Sequence, residues 1–248
     1  MRVLLLGGTA EARDLAAALV EDGVDVVSSL AGRVQRPRLP AGETRLGGFG
    51  GAAGLQQALD GYDVVVDATH PFAATISRSA ATACAAAGTP LVRLSRPSWA
   101  ALEQASRWRW VGSTEDAAEA TAAVGGPVFL TTGRQSLQGF LPLLAGTRVL
   151  ARVVDPVEWE PPATWTVLLA RGPYTLDGEL SLMRAHEVAV LVTKDSGGDL
   201  TRAKLDAADA LGLPVVVVRR PAAPEGVEEV SDVAGALRWL RAPRPPRG

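Results

Sequence analysis

Short apolar runs alternate with helix-patterned segments from one end of this 248-residue chain to the other. That alternation restricts the fold more than any single motif does. In the first half, Arg2–Leu6, Val24–Ser29, Val64–Asp67 and Leu91–Leu94 read as strands, with helices over Ala10–Glu21, Ala52–Asp60 and Pro71–Ala87. In the second half the strands are Trp108–Val111, Val128–Leu130, Arg148–Val153, Thr166–Leu169, Val188–Thr193 and Val215–Val218. Helical periodicity there covers Thr114–Val124, Ser136–Leu144, Leu176–Ala185, Leu200–Leu211 and Val233–Arg241. Strands alternating with helices make βαβ units and hence parallel sheets. Val215–Val218 is apolar at every position, as fits a strand covered on both faces.

Between Arg96 and Trp108 the apolar period lapses and aromatic residues cluster, which predicts a linker. The expected architecture is α/β: two Rossmann-like parallel-sheet lobes with a cleft between them. The lobes are placed at residues 1–98 and 107–241, and the Pro- and Arg-rich stretch 242–248 is expected to be a disordered tail. With 47% hydrophobic residues the chain can bury a sizeable core. Its net charge of −2 gives no basic footprint for nucleic acid. Cys84 is the lone cysteine, so no internal disulfide forms and a cysteine metal site is disfavoured. The apolar run at the N-terminus is too short for a signal peptide or a membrane span. A cytoplasmic protein with no membrane or nucleic-acid partner is expected. The chain has no G-x-S-x-G elbow, no G-x-x-x-x-G-K-[ST] loop and no zinc-spaced cluster.

Open α/β sheets place ligands outside the carboxyl ends of their strands, so the turns there carry the functional reading. The first turn, Gly7-Gly8-Thr9-Ala10-Glu11, has glycine after a strand and a helix opening next. It departs from G-x-G-x-x-G, and Glu11 would repel a pyrophosphate placed on the helix N-terminus, so a purely structural turn is the competing reading. The second, Ser28-Ser29-Leu30-Ala31-Gly32-Arg33, lacks the acid that favours NAD. Arg33 there favours NADPH, against the plainer reading of one more solvated arginine.

The third, Asp67-Ala68-Thr69-His70-Pro71-Phe72, offers hydrogen-bonding groups and an apolar face suited to nicotinamide or an aromatic substrate. His70 is either a proton donor near neutral pH or a cap on a helix starting at Pro71. In the second half, Thr131-Thr132-Gly133-Arg134 suits an anion cradle, and Arg171-Gly172 and Lys194-Asp195-Ser196-Gly197 follow further strands. Lys194 and Lys204 are the chain's only lysines and fall in one short segment, which hints at an ammonium wanted there. Lys204 reads equally well as a chance placement on a helix. His186 precedes a strand and reads as structural.

Read together, Leu6-Gly7-Gly8-Thr9-Ala10-Glu11-Ala12, Ser29-Leu30-Ala31-Gly32-Arg33, Asp67-Ala68-Thr69-His70-Pro71-Phe72-Ala73 and Thr193-Lys194-Asp195-Ser196-Gly197-Gly198 resemble the precorrin-6A reductase family of cobalamin biosynthesis. Arg93-Leu94-Ser95-Arg96-Pro97 and Thr132-Gly133-Arg134-Gln135 fit the same pattern. The resemblance implies NADPH-dependent reduction of a macrocycle double bond in precorrin-6A to give precorrin-6B. A hydride goes to one ring carbon and a proton to its neighbour, with cofactor and tetrapyrrole in the cleft. It makes Gly8, Thr9, Arg33, Thr69, His70, Pro71, Thr132, Gly133 and Arg134 the expected cofactor residues. Phe72, Arg171, Lys194, Ser196 and Gly197 are the expected substrate residues, with Arg134, Arg171 and Lys194 suited to carboxylates. His70 and Lys194 are the candidate proton donors, with water as their rival. Neighbouring cobalamin-pathway enzymes are possible partners, and no metal is expected. The residues alone leave two alternatives open: a two-lobed nucleotide-sugar enzyme and a non-catalytic NADP-sensing module.

Overall fold

The computed structural model describes residues 1–31 and 38–243, so Arg33 and the end of the expected tail lie outside the described residues. From the N-terminus the chain forms β1 (Arg2–Leu6), α1 (Ala10–Glu21), β2 (Asp25–Leu30), β3 (Glu43–Leu46), α2 (Gly51–Ala58), β4 (Val64–Asp67), α3 (Ala74–Ala87) and β5 (Leu91–Leu94). Then come β6 (Arg109–Val111), α4 (Thr114–Val124), β7 (Val128–Thr131), α5 (Leu141–Leu144), β8 (Val149–Val153), β9 (Trp165–Leu169), α6 (Leu176–Ala185), β10 (Val190–Lys194), α7 (Ala203–Ala210) and β11 (Val215–Val218). The chain closes with β12 (Glu228–Val230) and α8 (Val233–Arg241). It divides into two compact units, Met1–Arg96 with the segment from Pro221 onward, and Pro97–Arg220.

The first unit carries a six-stranded sheet in the order β12-β5-β4-β1-β2-β3, and every pairing is parallel. Alternate residues serve opposite faces. Val3, Leu5, Val64 and Val66 pack with Leu15, Leu19 and Leu240, whereas Leu4, Leu6 and Val65 pack with Leu55, Ala80 and Ala83. Both faces are therefore covered, which explains why β1 and β4 show no polar alternation. Helix α1 presents Ala12, Leu15, Ala16 and Leu19, a stripe at helical spacing, and Thr9 caps it by accepting the Ala12 N–H at 3.1 Å.

The second unit carries its own six-stranded parallel sheet, β6-β11-β10-β7-β8-β9. Phe129, Leu150, Leu191 and Val217 pack with Met183, Leu205 and Ala208 in its core. The two sheets repeat one topology. In each, three consecutive strands run outward from the centre (β1-β2-β3; β7-β8-β9) and the next two run the other way (β4-β5; β10-β11). The sixth strand differs in origin. It is β12, from the end of the chain, in the first unit, and β6, from the start of the segment, in the second.

Several expectations are corrected. The expected lobe of 107–241 is divided, because β12 pairs with β5 and α8 packs in the first unit's core. Residues 97–108 are no loose linker, for Trp99, Ala105 and Trp108 are buried in the second unit's core within two short 3-10 turns. The helix expected from Pro71 begins at Ala74. A reverse turn precedes it, in which the His70 carbonyl accepts the Ala73 N–H at 2.7 Å. The expected helix 136–144 is a 3-10 turn, Arg134–Phe140, followed by the short α5. Strands β3 and β12 went unpredicted. Both are short edge strands, with residues partly or fully exposed, and so lack an apolar run.

Candidate functional site

In a sheet of this order, the strands whose onward connections run in opposite directions leave a crevice at their carboxyl ends. In the first unit that point lies between β1 and β4, so its walls are the turns Gly7–Thr9 and Ala68–Phe72. In the second unit it lies between β7 and β10, walled by Thr132–Arg134 and Asp195–Gly197. Gly8, Thr9, Thr69, His70, Pro71 and Phe72 thus gather at one such point, and Thr132, Gly133, Arg134, Lys194, Ser196 and Gly197 at the other. Arg171 is exposed beyond β9 in the second unit, two strands from that unit's crevice.

At the first crevice, Gly8 has φ +122, a region that side chains resist, and a Cβ there would meet nothing within 4 Å. The turn presents bare backbone, which fits close approach by a ligand's phosphate or ribose. Thr9 bridges the crevice, its Oγ1 donating to the Ala68 carbonyl at 2.9 Å while accepting from Ala12. Glu11 is paired with Arg96, whose Nη1 lies 3.0 and 3.2 Å from its two oxygens. The repulsion expected from Glu11 is therefore offset by a cation from the end of β5.

Asp67 is buried, and its Oδ1 accepts both the Thr69 N–H at 3.1 Å and the Thr69 hydroxyl at 2.6 Å. Register explains its charge balance. Arg93 stands opposite Asp67 on β5, and Glu229 opposite Arg93 on β12. Arg93 Nε lies 3.8 Å from Asp67 Oδ2 and its Nη1 2.9 Å from Glu229 Oε1. His70 Nδ1 accepts the Phe72 N–H at 3.2 Å, which assigns the proton of the neutral ring to Nε2. The rings of His70 and Phe72 lie 5.9 Å apart.

At the second crevice, Thr132 is 4% exposed and its Oγ1 is buried without a hydrogen-bond partner. Such a group costs about 1–3 kcal/mol unless something satisfies it. Arg134 is turned toward the β8–β9 connection, where Nη1 meets the Pro156 carbonyl at 3.1 Å and Glu158 at 3.2 Å. Lys194 ends β10 partly buried, and desolvation lowers its pKa from the ordinary 10.5. Lys204 lies in α7, buried, with Nζ donating to the Thr201 carbonyl at 2.8 Å and 4.8 Å from the Trp99 ring centroid. It is a packing residue. His186 caps the C-terminus of α6.

A family model described as precorrin-6x reductase CbiJ/CobK matches residues 2–241. The chain belongs to the precorrin-6x reductase family. A precorrin-6A reductase of Rhodococcus erythropolis is 52% identical over 242 residues, covering 96% of this chain and 97% of the relative. The precorrin-6A reductase of Mycobacterium tuberculosis H37Rv is 47% identical over 243 residues, covering 96% of this chain and 97% of the relative. A solved structure titled CobK precorrin-6A reductase superposes with a TM-score of 0.89 at 40% identity, covering 97% of this chain and 96% of that one.

Two features of this family member escaped the sequence reading. Asp195, inside the Lys194–Gly197 turn and 3% exposed, accepts from Ser98 Oγ at 2.6 Å and the Trp99 N–H at 3.0 Å. Arg220 grips the same carboxylate with Nε at 3.0 Å and Nη2 at 3.3 Å. Asp195 therefore pins both ends of the second unit, Pro97–Trp99 and Arg220, to the β10 turn. Nothing local in the sequence announces partners so distant. The other feature is Gly47-Gly48-Phe49-Gly50-Gly51, between β3 and α2, whose glycine density was a legible signal.

Proposed function

We propose that this protein reduces precorrin-6A to precorrin-6B with NADPH as the reductant. The observation that carries the reading is the 52% identity to a precorrin-6A reductase across nearly the whole of both chains. The metal-free substrate is favoured over the cobalt-bearing one by the same comparison. The relatives named precorrin-6A reductase are 40–52% identical, and a cobalt-precorrin-6A reductase of Priestia megaterium is 31% identical over 236 residues.

When bound, NADPH supplies a hydride for one ring carbon, while a proton reaches the neighbouring carbon and NADP⁺ is left. Gly8 would hold the cofactor through bare backbone at the β1 turn, with Thr9 fixing the turn's shape. Thr69, oriented by Asp67, and His70 and Pro71 would line the nicotinamide end. His70, with its ring proton on Nε2, would orient a carboxamide or a carboxylate. Its Nδ1 lone pair is already engaged by the Phe72 N–H, so becoming an imidazolium would break that bond. His70 is therefore better placed to orient than to deliver a proton.

Lys194 is the other candidate proton donor, and burial makes its ammonium readier to give the proton up. Phe72 would face the macrocycle. Thr132 and Gly133 would receive an anionic group of cofactor or substrate, with Arg134 joining them only by exchanging Glu158 for it, and Arg171, Ser196 and Gly197 the substrate's carboxylates. The residues' main contribution is orientation, since the hydride chemistry belongs to the cofactor. The test is anaerobic mixing of the purified protein with NADPH, with and without precorrin-6A. Cofactor consumption only when the tetrapyrrole is added is the expected result. Consumption without tetrapyrrole, or none with it, would refute the assignment.

A further inference from the structure

The turn after β2 was expected to read the cofactor's 2′-phosphate through Arg33, which lies outside the described residues. The described residues put a different cation at the same sheet edge. Arg45 on β3 stands in register with Ser29 on β2, near the carboxyl ends of both strands. Its Nη1 lies 3.3 Å from Ser29 Oγ and 3.1 Å from the Gly47 carbonyl, and Nη2 lies 2.9 Å from the Gly48 carbonyl. Its guanidinium carbon is 3.8 Å from the Phe49 ring centroid, so the planar group is stacked on the ring.

Its acceptors set Arg45 apart from most of the described arginines, although Arg13 likewise meets a neutral oxygen, the Thr9 carbonyl at 3.0 Å. Arg93, Arg96, Arg134, Arg152 and Arg220 each meet a carboxylate. The three acceptors of Arg45 are neutral oxygens. They fix its orientation without cancelling its charge. Phe49 is itself held rigidly. A Cβ on Gly54 would lie 1.8 Å from the Phe49 carbonyl oxygen, so the first turns of α2 rest directly on the Phe49 backbone. The Phe49 ring packs against the cluster of Leu4, Leu6, Leu55 and Val65.

We propose that Arg45, stacked on Phe49, is the specificity residue that recognises the 2′-phosphorylated adenosine of NADPH. The proposal rests on the cofactor reading above. A guanidinium pairs with a phosphate through parallel N–H bonds, and its flat face takes a purine ring. The end of strand β2 is where a nucleotide-binding sheet meets the adenosine ribose. A guanidinium that is oriented there and meets no carboxylate among the described residues suits a phosphate dianion and gives no advantage to an unphosphorylated ribose.

Calorimetric titration of NADPH, NADH, adenosine 2′,5′-bisphosphate and 5′-AMP into wild type, Arg45→Gln, Arg45→Lys and Phe49→Ala tests this. Losing a charge-assisted contact weakens binding by about 10- to 100-fold. Arg45→Gln is expected to lose that much affinity for NADPH and the bisphosphate, with NADH and 5′-AMP within about twofold of wild type. Arg45→Lys, which keeps the charge but not the fork, falls between. Phe49→Ala weakens all four ligands, and circular dichroism checks that each variant is folded. If wild type prefers NADPH and Arg45→Gln keeps the full preference, the proposal fails while the cofactor reading stands. A preference lost instead in Arg33→Ala would then place recognition on the β2 turn. If wild type binds neither dinucleotide, the cofactor reading falls and this proposal with it.

Discussion

Thr9→Ala is the substitution that best separates architecture from ligand binding at the first crevice. The Thr9 hydroxyl does two things in the fold. It caps α1 through the Ala12 N–H at 3.1 Å, and it satisfies the Ala68 carbonyl, on a residue 1% exposed, at 2.9 Å. Losing an N-cap costs about 1 kcal/mol. Leaving a buried carbonyl unsatisfied costs about 1–3 kcal/mol more. Thr9→Ala should therefore destabilise the first unit by about 2–4 kcal/mol. Thr9→Ser retains the hydroxyl and loses one methyl group, so its cost should stay below about 1 kcal/mol. Thr9→Val keeps the shape and loses both bonds, so it should resemble the alanine variant. Urea unfolding followed by hydrogen exchange in α1 and β4 reads the local effect, since Ala12 lies in α1 and Ala68 directly follows β4. A Thr9→Ala stability within about 0.5 kcal/mol of wild type would refute the reasoning, as would a serine variant as weak as the alanine one. In either case the two bonds of the Thr9 hydroxyl would not be what holds the turn.

Further outcomes follow from the same geometry. Asp195→Ala removes the carboxylate that Arg220, Ser98 and the Trp99 N–H share, so urea unfolding should show a loss of about 3–5 kcal/mol. A loss under about 1 kcal/mol would mean the carboxylate is not the hub described. Gly54→Ala should lower the melting temperature although alanine is the better helix former by about 1 kcal/mol, because the new methyl meets the Phe49 carbonyl. An unchanged or higher melting temperature would show that α2 can shift freely. Burial holds the folded pKa of Lys194 below the unfolded 10.5, so between the two values the unfolded chain binds more protons and stability rises with pH. Lys194→Met should remove that rise, being more stable than wild type below the window and no more stable above it. Melting curves from about pH 6 to about pH 11 check this, and an unaltered slope would contradict it.

Strand ends were the legible part of this chain. Apolar runs such as Val64–Asp67 and Val215–Val218 are long enough in hydrophobic residues to announce buried parallel strands, and the polar turns after β1, β4, β7 and β10 lie at the two crevices. Edge strands were not legible. Glu228–Val230 joins the first sheet through backbone pairing with β5 and through Glu229 meeting Arg93, contacts 136 residues apart that no local pattern encodes. Partners 96 and 97 residues away, Trp99 and Ser98, likewise hid the hub at Asp195. Trp99 and Trp108 looked like linker residues because short 3-10 turns have no apolar period of their own, yet both are core. Glu11 looked like an obstacle to an anion until β5 brought Arg96 beside it.

The most direct test of the central claim is where the reductant's hydrogen goes. The purified protein would be given precorrin-6A and NADPH deuterated at the transferable position of the nicotinamide, and the product mass read. The account predicts a tetrapyrrole that has gained one deuterium from the cofactor and one hydrogen from solvent, with one NADP⁺ formed for each. A product formed without deuterium from either face of the nicotinamide, or NADP⁺ formed while the tetrapyrrole is unchanged, would contradict it.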